Sequence, residues 1–257
     1  MLAAEVTVIV ATAEPARTGQ RSPGRAPDPA VAELRRSLEA LSGDEVALSR
    51  AMRRPLMIDR LGRHPLGNLL LHSLSSGFGD LPSASLWLGS QLGISGRVLP
   101  ATVEPLTLME RPAAAGGRSI AERPRVSPGV VDAIREADLV LLAPGALDAG
   151  IVLLTAIPEI GEALRATPAR IVWISNLASP KGATVTEQVD TLTGHGVRID
   201  AVLYDPDAGS PVEAQDWRNR GIVAIARPLA DRTGAAHDAQ LLSAALAEVS
   251  SELEHRA

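Results

Sequence analysis

Apolar residues in this chain fall into short β-branched runs and longer stripes of helical spacing. Glu5-Val6-Thr7-Val8-Ile9-Val10-Ala11 reads as a strand covered on both faces. Thr12 to Pro29, rich in Gly, Pro, Arg and Ser, reads as a long loop. Leu34, Leu38 and Leu41 mark the buried stripe of a helix over 30–41, and Asp44 to Arg54 predicts a second helix stopped by Pro55. A Leu-rich helix opens at Leu66 and runs to about Ser76, where Gly77-Phe78-Gly79-Asp80 breaks it; another covers Ser83 to Leu92 and ends at Gly93. Arg97 to Thr102 begins as a strand, and Thr102 to Met109 reads as its neighbour. Glu110 to Ser127 has no hydrophobic period and reads as a flexible connection.

From Val130 the alternation becomes regular. A helix over 130–136 precedes the strand Asp138-Leu139-Val140-Leu141-Leu142-Ala143, then a helix from Ile151 to Ala166. The strand Arg170 to Ser175, the helix Val185 to Gly194, and strands at 200–204 and 222–226 follow. An amphipathic helix over 237–254 closes the chain. Strands alternating with helices of this length predict a mostly parallel, doubly wound α/β sheet of the Rossmann-like class. With no internal repeat and no clean linker, a single domain over 1–257 is expected, with 110–127 as its flexible connection.

Composition narrows the chemistry. Aromatic residues are only 2% of the chain, so the core is built from Leu, Val, Ile and Ala. A net charge of −5 with no long basic run argues against a dedicated nucleic-acid surface. Cysteine is absent, which removes disulfides, zinc–thiolate sites and a thiol nucleophile. The start lacks the basic segment of a signal peptide, and no run of about 18 apolar residues offers a membrane span. A cytoplasmic protein is expected.

Ligands of open parallel sheets bind beyond the carboxyl ends of the strands. Three loops leave such ends: Thr12 to Gly19, Pro144-Gly145-Ala146-Leu147-Asp148, and Asn176 to Thr184. Pro144-Gly145 makes a tight turn whose N–H groups could face a phosphate, although an ordinary βα connection has the same pattern. Asn176 suits a base edge or its own loop, and Lys181 a phosphate or solvent. The other notable stretch is Arg63-His64-Pro65-Leu66-Gly67-Asn68-Leu69-Leu70-Leu71, which places His64, Gly67 and Asn68 around a helix start. There Gly67 would let a ligand approach the backbone, and Asn68 and His64 would add polar contacts; packing under the leucines explains the same residues. No G-x-G-x-x-G, Walker-type loop, G-x-S-x-G elbow or H-E-x-x-H is present. His72, on the Leu-rich helix, reads as packed or snorkelling, and His237-Asp238 as a helix opening.

Taken in order, these pieces resemble the YvcK, or gluconeogenesis factor, family, related to the 2-phospho-L-lactate transferases (CofD). His64-Pro65-Leu66-Gly67-Asn68-Leu69-Leu70 is similar to its G-H-x-L-G-N-L-L, and Gly96 to Thr102 supplies a further piece. Ala137 to Leu147 is similar to A-D-x-I-V-x-G-P-G-S-L, and Ile157 to Leu164 to V-P-G-I-A-E-A-L. Asn176-Leu177 with Pro180, Gly182 and Thr184 is similar to N-L-M-T-Q-P-G-E-T. The resemblance implies a Rossmann-related fold and a regulatory protein of carbon metabolism and cell shape. Its expected ligand is a nucleotide or UDP-sugar such as UDP-N-acetylglucosamine, held by His64, Gly67, Asn68, Pro144, Gly145, Asn176, Leu177, Gly182 and Thr184. It implies no metal and no catalytic residue here.

The departures lie at the phosphate end. No counterpart of the family's first strand and G-G-G-T-G loop precedes Val6, so 6–11 matches its second strand. The first βα unit is therefore expected to be absent or encoded upstream. The following A-D-D-G-G-S-S-G-R is replaced by Ala11 to Gly19, without the acidic pair; the family's P-G-D is not kept, and Glu33 is its nearest acidic counterpart. Ala146 and Asp148 stand in place of hydroxyl residues. These losses favour binding over catalysis, with CofD-like phosphotransfer or a non-binding scaffold as alternatives. Exposed strand edges would make closure by a homo-oligomer an expected consequence.

Overall fold

The computed structural model describes residues 5–15, 29–43, 45–58, 62–104, 106–110, 118–120, 123–145, 147, 150–178, 182–208, 212 and 214–254. The chain divides into two compact units, one built on 5–131 and the other on the residues from Asp132 onward.

In the first unit β1 (Thr7–Val10) is followed at once by β2 (Ala13–Pro15), a short strand inside the stretch expected as loop. Residues 16–28 of that stretch lie outside the described residues. Helices α1 (Pro29–Ser42) and α2 (Ala47–Arg53) match the leucine stripe and the stop at Pro55. Pro55 also opens a hairpin that periodicity did not reveal, β3 (Pro55–Ile58) against β4 (Gly62–Pro65), in which His64 faces Leu56. Gly62-Arg63-His64-Pro65 carries no β-branched run or apolar alternation, so nothing in its own residues marks it as a strand. Helix α3 (Leu66–Phe78) ends at Gly79 in the left-handed conformation, and α4 (Leu81–Leu92) ends the same way at Gly93. Asp80 caps α4 by accepting the Ser83 N–H at 2.7 Å.

Strand β5 (Arg97–Pro100) runs parallel to β1, with Val8 opposite Val98. The expected partnership of Thr102–Met109 with β5 does not form. Instead β6 (Leu106–Glu110) pairs parallel with β2 and antiparallel with β7 (Arg118–Ile120), so part of the expected flexible connection is sheet. Thr102 turns the chain away by donating its hydroxyl to the Glu104 carbonyl at 2.6 Å. The core of this unit gathers Leu34, Leu38, Met52, Leu71, Leu88 and Val98.

In the second unit α5 (Val130–Arg135), whose first two residues belong to the preceding unit, leads to β8 (Leu139–Leu142). The single helix expected over 151–166 is two, α6 (Ile151–Thr155) and α7 (Pro158–Ala166). Pro158 is the cause: the residue before a proline is pushed out of the helical region, and Ile157 is extended at φ −77°, ψ 117°. Then come β9 (Arg170–Ile174), α8 (Val185–Gly194), β10 (Ala201–Tyr204), the unforeseen short helix α9 (Ala214–Asn219), β11 (Val223–Ala226) and α10 (Ala239–Glu254). The four strands form one parallel sheet in the order β11-β10-β9-β8. Val172, Ile174, Leu203, Ile225, Leu229 and Val249 pack its core. Among the described residues no helix is long and apolar enough to cross a membrane.

Candidate functional site

The carboxyl edge of the four-stranded sheet is where the candidate residues of the second unit converge. Strands β8 and β9 pair with Leu142 opposite Trp173, and continuing that register by three residues brings Gly145 beside Asn176. The two form a reciprocal clasp: the Gly145 N–H donates to Asn176 Oδ1 at 2.7 Å, and Asn176 Nδ2 donates to the Gly145 carbonyl at 3.0 Å. Gly145 has φ +153°, a region that L side chains rarely adopt, and the space where its Cβ would stand is open. In this structure its N–H therefore serves Asn176 and does not face outward as an anion donor.

Gln188, buried on α8, sets the orientation of the Asn176 amide. Its Oε1 accepts Asn176 Nδ2 at 3.0 Å, while its own Nε2 donates to the Ala183 carbonyl at 3.2 Å. Thr184 opens α8 through a reciprocal capping box with Glu187. This acidic, self-capped helix start disfavours a phosphate. Gly182 turns the chain at φ +70° just before it, and Pro144 and Leu177 are half-buried beside the clasp residues. Ala146, Asp148 and Lys181 lie outside the described residues.

Two further side chains reach this edge that the sequence reading did not place there. His237 Nε2 stands 3.2 Å from the Ser175 carbonyl, at the end of β9, while Asp238 caps α10 by accepting the N–H groups of Gln240 and Leu241. Asp205, at the end of β10, is buried and accepts the N–H groups of Asp207, Leu229 and Ala230 at 2.9, 2.7 and 2.8 Å. Burial opposes its ionisation, but these donors together with Ala208 outweigh it and hold the carboxyl below its ordinary value. A lone Asp after a strand signals at most the local turn to Asp207; only the return of the chain after β11 supplies the Leu229 and Ala230 donors.

In the first unit, His64, Gly67 and Asn68 surround the start of α3, and each is buried. Gly67 is a contact point between helices. A Cβ there would lie 2.7 Å from Arg35 Cδ and 2.9 Å from Met52 Cβ, so the absence of a side chain lets α3 approach α1 and α2. Asn68 Oδ1 accepts Arg35 Nε at 2.7 Å, and Arg35 Nη1 grips both carboxylate oxygens of Glu39 at 2.7 and 2.6 Å. A ligand contact at Asn68 must therefore use its amide nitrogen or displace Arg35. The packing role of Gly67 has a direct test. Gly67→Ala is expected to destabilise the fold by about 1–3 kcal/mol through overpacking. Gly77→Ala in the same helix, where a Cβ meets nothing within 4 Å, should stabilise it by about 0.5–1 kcal/mol. Urea unfolding followed by circular dichroism reads both; equal effects at the two positions contradict the packing role.

These features define an α/β protein of the parallel-sheet class with polar loops gathered at the carboxyl ends of its strands. Residues 1–230 match the family described as 2-phospho-L-lactate transferase CofD, and the chain belongs to that family. It is 30% identical over 240 residues to a protein of Deinococcus radiodurans named "Putative gluconeogenesis factor", the match covering 76% of this chain and 51% of that one. It is 29% identical over 199 residues to the gluconeogenesis factor of Bacillus subtilis, covering 70% of this chain and 63% of that protein. The chain thus spans about half the length of the Deinococcus relative. A crystal structure of a UPF0052 family protein from Bacillus halodurans superposes with a TM-score of 0.69 at 22% identity, covering 83% of this chain and 81% of that one, and shows the same fold.

Proposed function

We propose that this chain is a cytoplasmic regulatory protein of the gluconeogenesis-factor type. In this reading it binds a nucleotide or UDP-sugar at the carboxyl edge of its four-stranded sheet and couples carbon supply to cell shape and wall synthesis. The observation that carries the reading is the Gly145–Asn176 clasp, which ties the ends of two neighbouring parallel strands. That is where ligands of open α/β sheets bind. Pro144, Gly145, Asn176, Leu177, Gly182 and Thr184 supply the contacts in this proposal. The names of the relatives support the regulatory part of the reading.

The family description supports a second reading, phosphotransfer. Such chemistry calls for groups that neutralise a transferring phosphoryl. Where the resemblance places an acidic pair, this chain has Thr12 and Ala13, and Thr12 is fully buried with its carbonyl accepting the Leu106 N–H at 2.7 Å. The binding reading is therefore preferred.

Isothermal titration with UDP-N-acetylglucosamine tests it. The wild type is expected to release binding heat, and Asn176→Ala, which opens the clasp, to weaken binding by about tenfold or more. A folded wild type without heat, or a variant that binds as tightly, would overturn the proposal. A transfer assay with magnesium separates the second reading, since measurable turnover reverses the order of the two.

A further inference from the structure

The polarity of the Gly145–Asn176 clasp is fixed from both ends. Gln188 Nε2 faces the Ala183 and Thr184 carbonyls at 3.2 and 3.4 Å. Carbonyl oxygens only accept, so Gln188 must turn its amide nitrogen toward them and present Oε1 to Asn176. That oxygen takes a hydrogen from Asn176 Nδ2 at 3.0 Å. At the other end the Gly145 N–H only donates and its carbonyl only accepts, which orients the Asn176 amide the same way round. The two constraints agree.

A primary amide carries two hydrogens on nitrogen and two lone pairs on oxygen. Both Asn176 Nδ2 hydrogens are engaged, one with Gly145 and the other with Gln188. The Gly145 N–H is held by Asn176, and Pro144 before it has no N–H to offer. What the clasp leaves open is a second lone pair on Asn176 Oδ1 and another on the Gly145 carbonyl. Gly145 is exposed, and nothing stands within 4 Å of the place its Cβ would take, so the clasp is open on that side.

We infer that the clasp recognises hydrogen-bond donors: it takes a neutral N–H or O–H group of the ligand, and not its phosphates. The inference rests on the binding reading above and assigns that site its polarity. Lone pairs of two carbonyl oxygens repel a phosphate, and the acidic first turn of α8 adds to the effect. To use the Gly145 N–H, a phosphate would have to break the clasp and displace an amide that buried Gln188 holds in place. In a UDP-sugar the matching groups are the imide N–H of the base and the ring hydroxyls. Gln188 is the positioning residue, acting through Asn176.

Nitrogen–proton NMR spectra of the full chain test this through the Gly145 amide and Asn176 side-chain signals. The probes, titrated into the millimolar range, are uridine, uridine methylated on its imide nitrogen, methyl N-acetylglucosaminide and inorganic phosphate. Uridine or the glycoside is expected to shift both signals, and inorganic phosphate to shift neither. An effect of uridine that methylation abolishes identifies the imide as the donor; an effect of the glycoside, or of both uridines, identifies ring hydroxyls. Gln188→Met, which keeps the side-chain length but releases the amide, is expected to weaken the effective probe by about tenfold. Should that variant misfold, the wild-type comparison of neutral probes with phosphate decides alone. Signals unmoved by every neutral probe, signals moved by phosphate, or a folded Gln188→Met protein that binds as tightly as wild type overturns the inference. A neutral probe that binds while UDP-N-acetylglucosamine gives no heat overturns only the nucleotide-sugar reading, so the two failures are separable.

Discussion

Glu39→Ala is expected to cost about 3–5 kcal/mol of unfolding free energy, the range for breaking a buried ion pair and leaving one charge without its partner. Glu39 and Arg35 stand one helical turn apart on α1, with side chains only 8% and 9% exposed. Arg35 grips the carboxylate through one guanidinium nitrogen and reaches Asn68 with another, so α1 and α3 are joined by a polar chain running through the leucine core. Arg53 of α2 adds a longer contact to Glu39 at 3.8 Å. Alanine at 39 strips the guanidinium of its charge partner while the helix packing holds it in place. The exposed Glu33–Arg36 pair on the same helix is the internal control, and Glu33→Ala should cost no more than about 1 kcal/mol. Urea titration of the two variants reads the difference. A Glu39→Ala protein within about 1 kcal/mol of wild type would mean that the pair does not bind the helices together.

Asp205→Asn should cost about 2–4 kcal/mol at neutral pH. Oδ2 accepts Leu229 and Ala230, and Oδ1 accepts Asp207. An asparagine amide nitrogen placed at either position points its hydrogens at an N–H donor, so either orientation leaves a buried donor unsatisfied. The sign of the pH effect follows from the depressed carboxyl. Its contribution is complete above the unfolded value, about 4, and is lost as pH falls through the lower folded value. The stability gap between wild type and Asp205→Asn should therefore be full at pH 7 and 5 and narrow steadily below about pH 4. Unfolding curves at a series of pH values measure it, and a gap constant down to pH 3 would rule out the ionised clamp.

Much of the fold was legible because local physics and tertiary structure agree there. The β-branched runs became β1, β8, β9, β10 and β11 within a residue or two, and the leucine stripes became α1, α3 and α4. Where they failed, the deciding partner lay far along the chain. Ala13–Pro15 is a strand because Leu106–Leu108 lies beside it, and no pattern within three residues announces that. The helix over 151–166 was read as one because the apolar spacing runs through Pro158, whose effect on Ile157 outweighed the spacing.

The candidate site divides in the same way. Sequence alone determined that the chain is a parallel-sheet α/β protein, that loops at Pro144-Gly145 and Asn176 leave strand ends, and that His64 to Leu70 opens an apolar helix. Each of these is written in side-chain spacing and in Gly and Pro placement, which act within a turn or a strand. Only the tertiary structure decided what those residues touch. It gave Gly67 to the contact with Arg35 and Met52, engaged Asn68 with a buried arginine, closed Asn176 onto Gly145 under Gln188, and made Asp205 an anchor for the return of the chain. Hydrogen-bond partners and close approaches join residues tens of positions apart, so their identity is fixed by packing geometry and not by any local pattern.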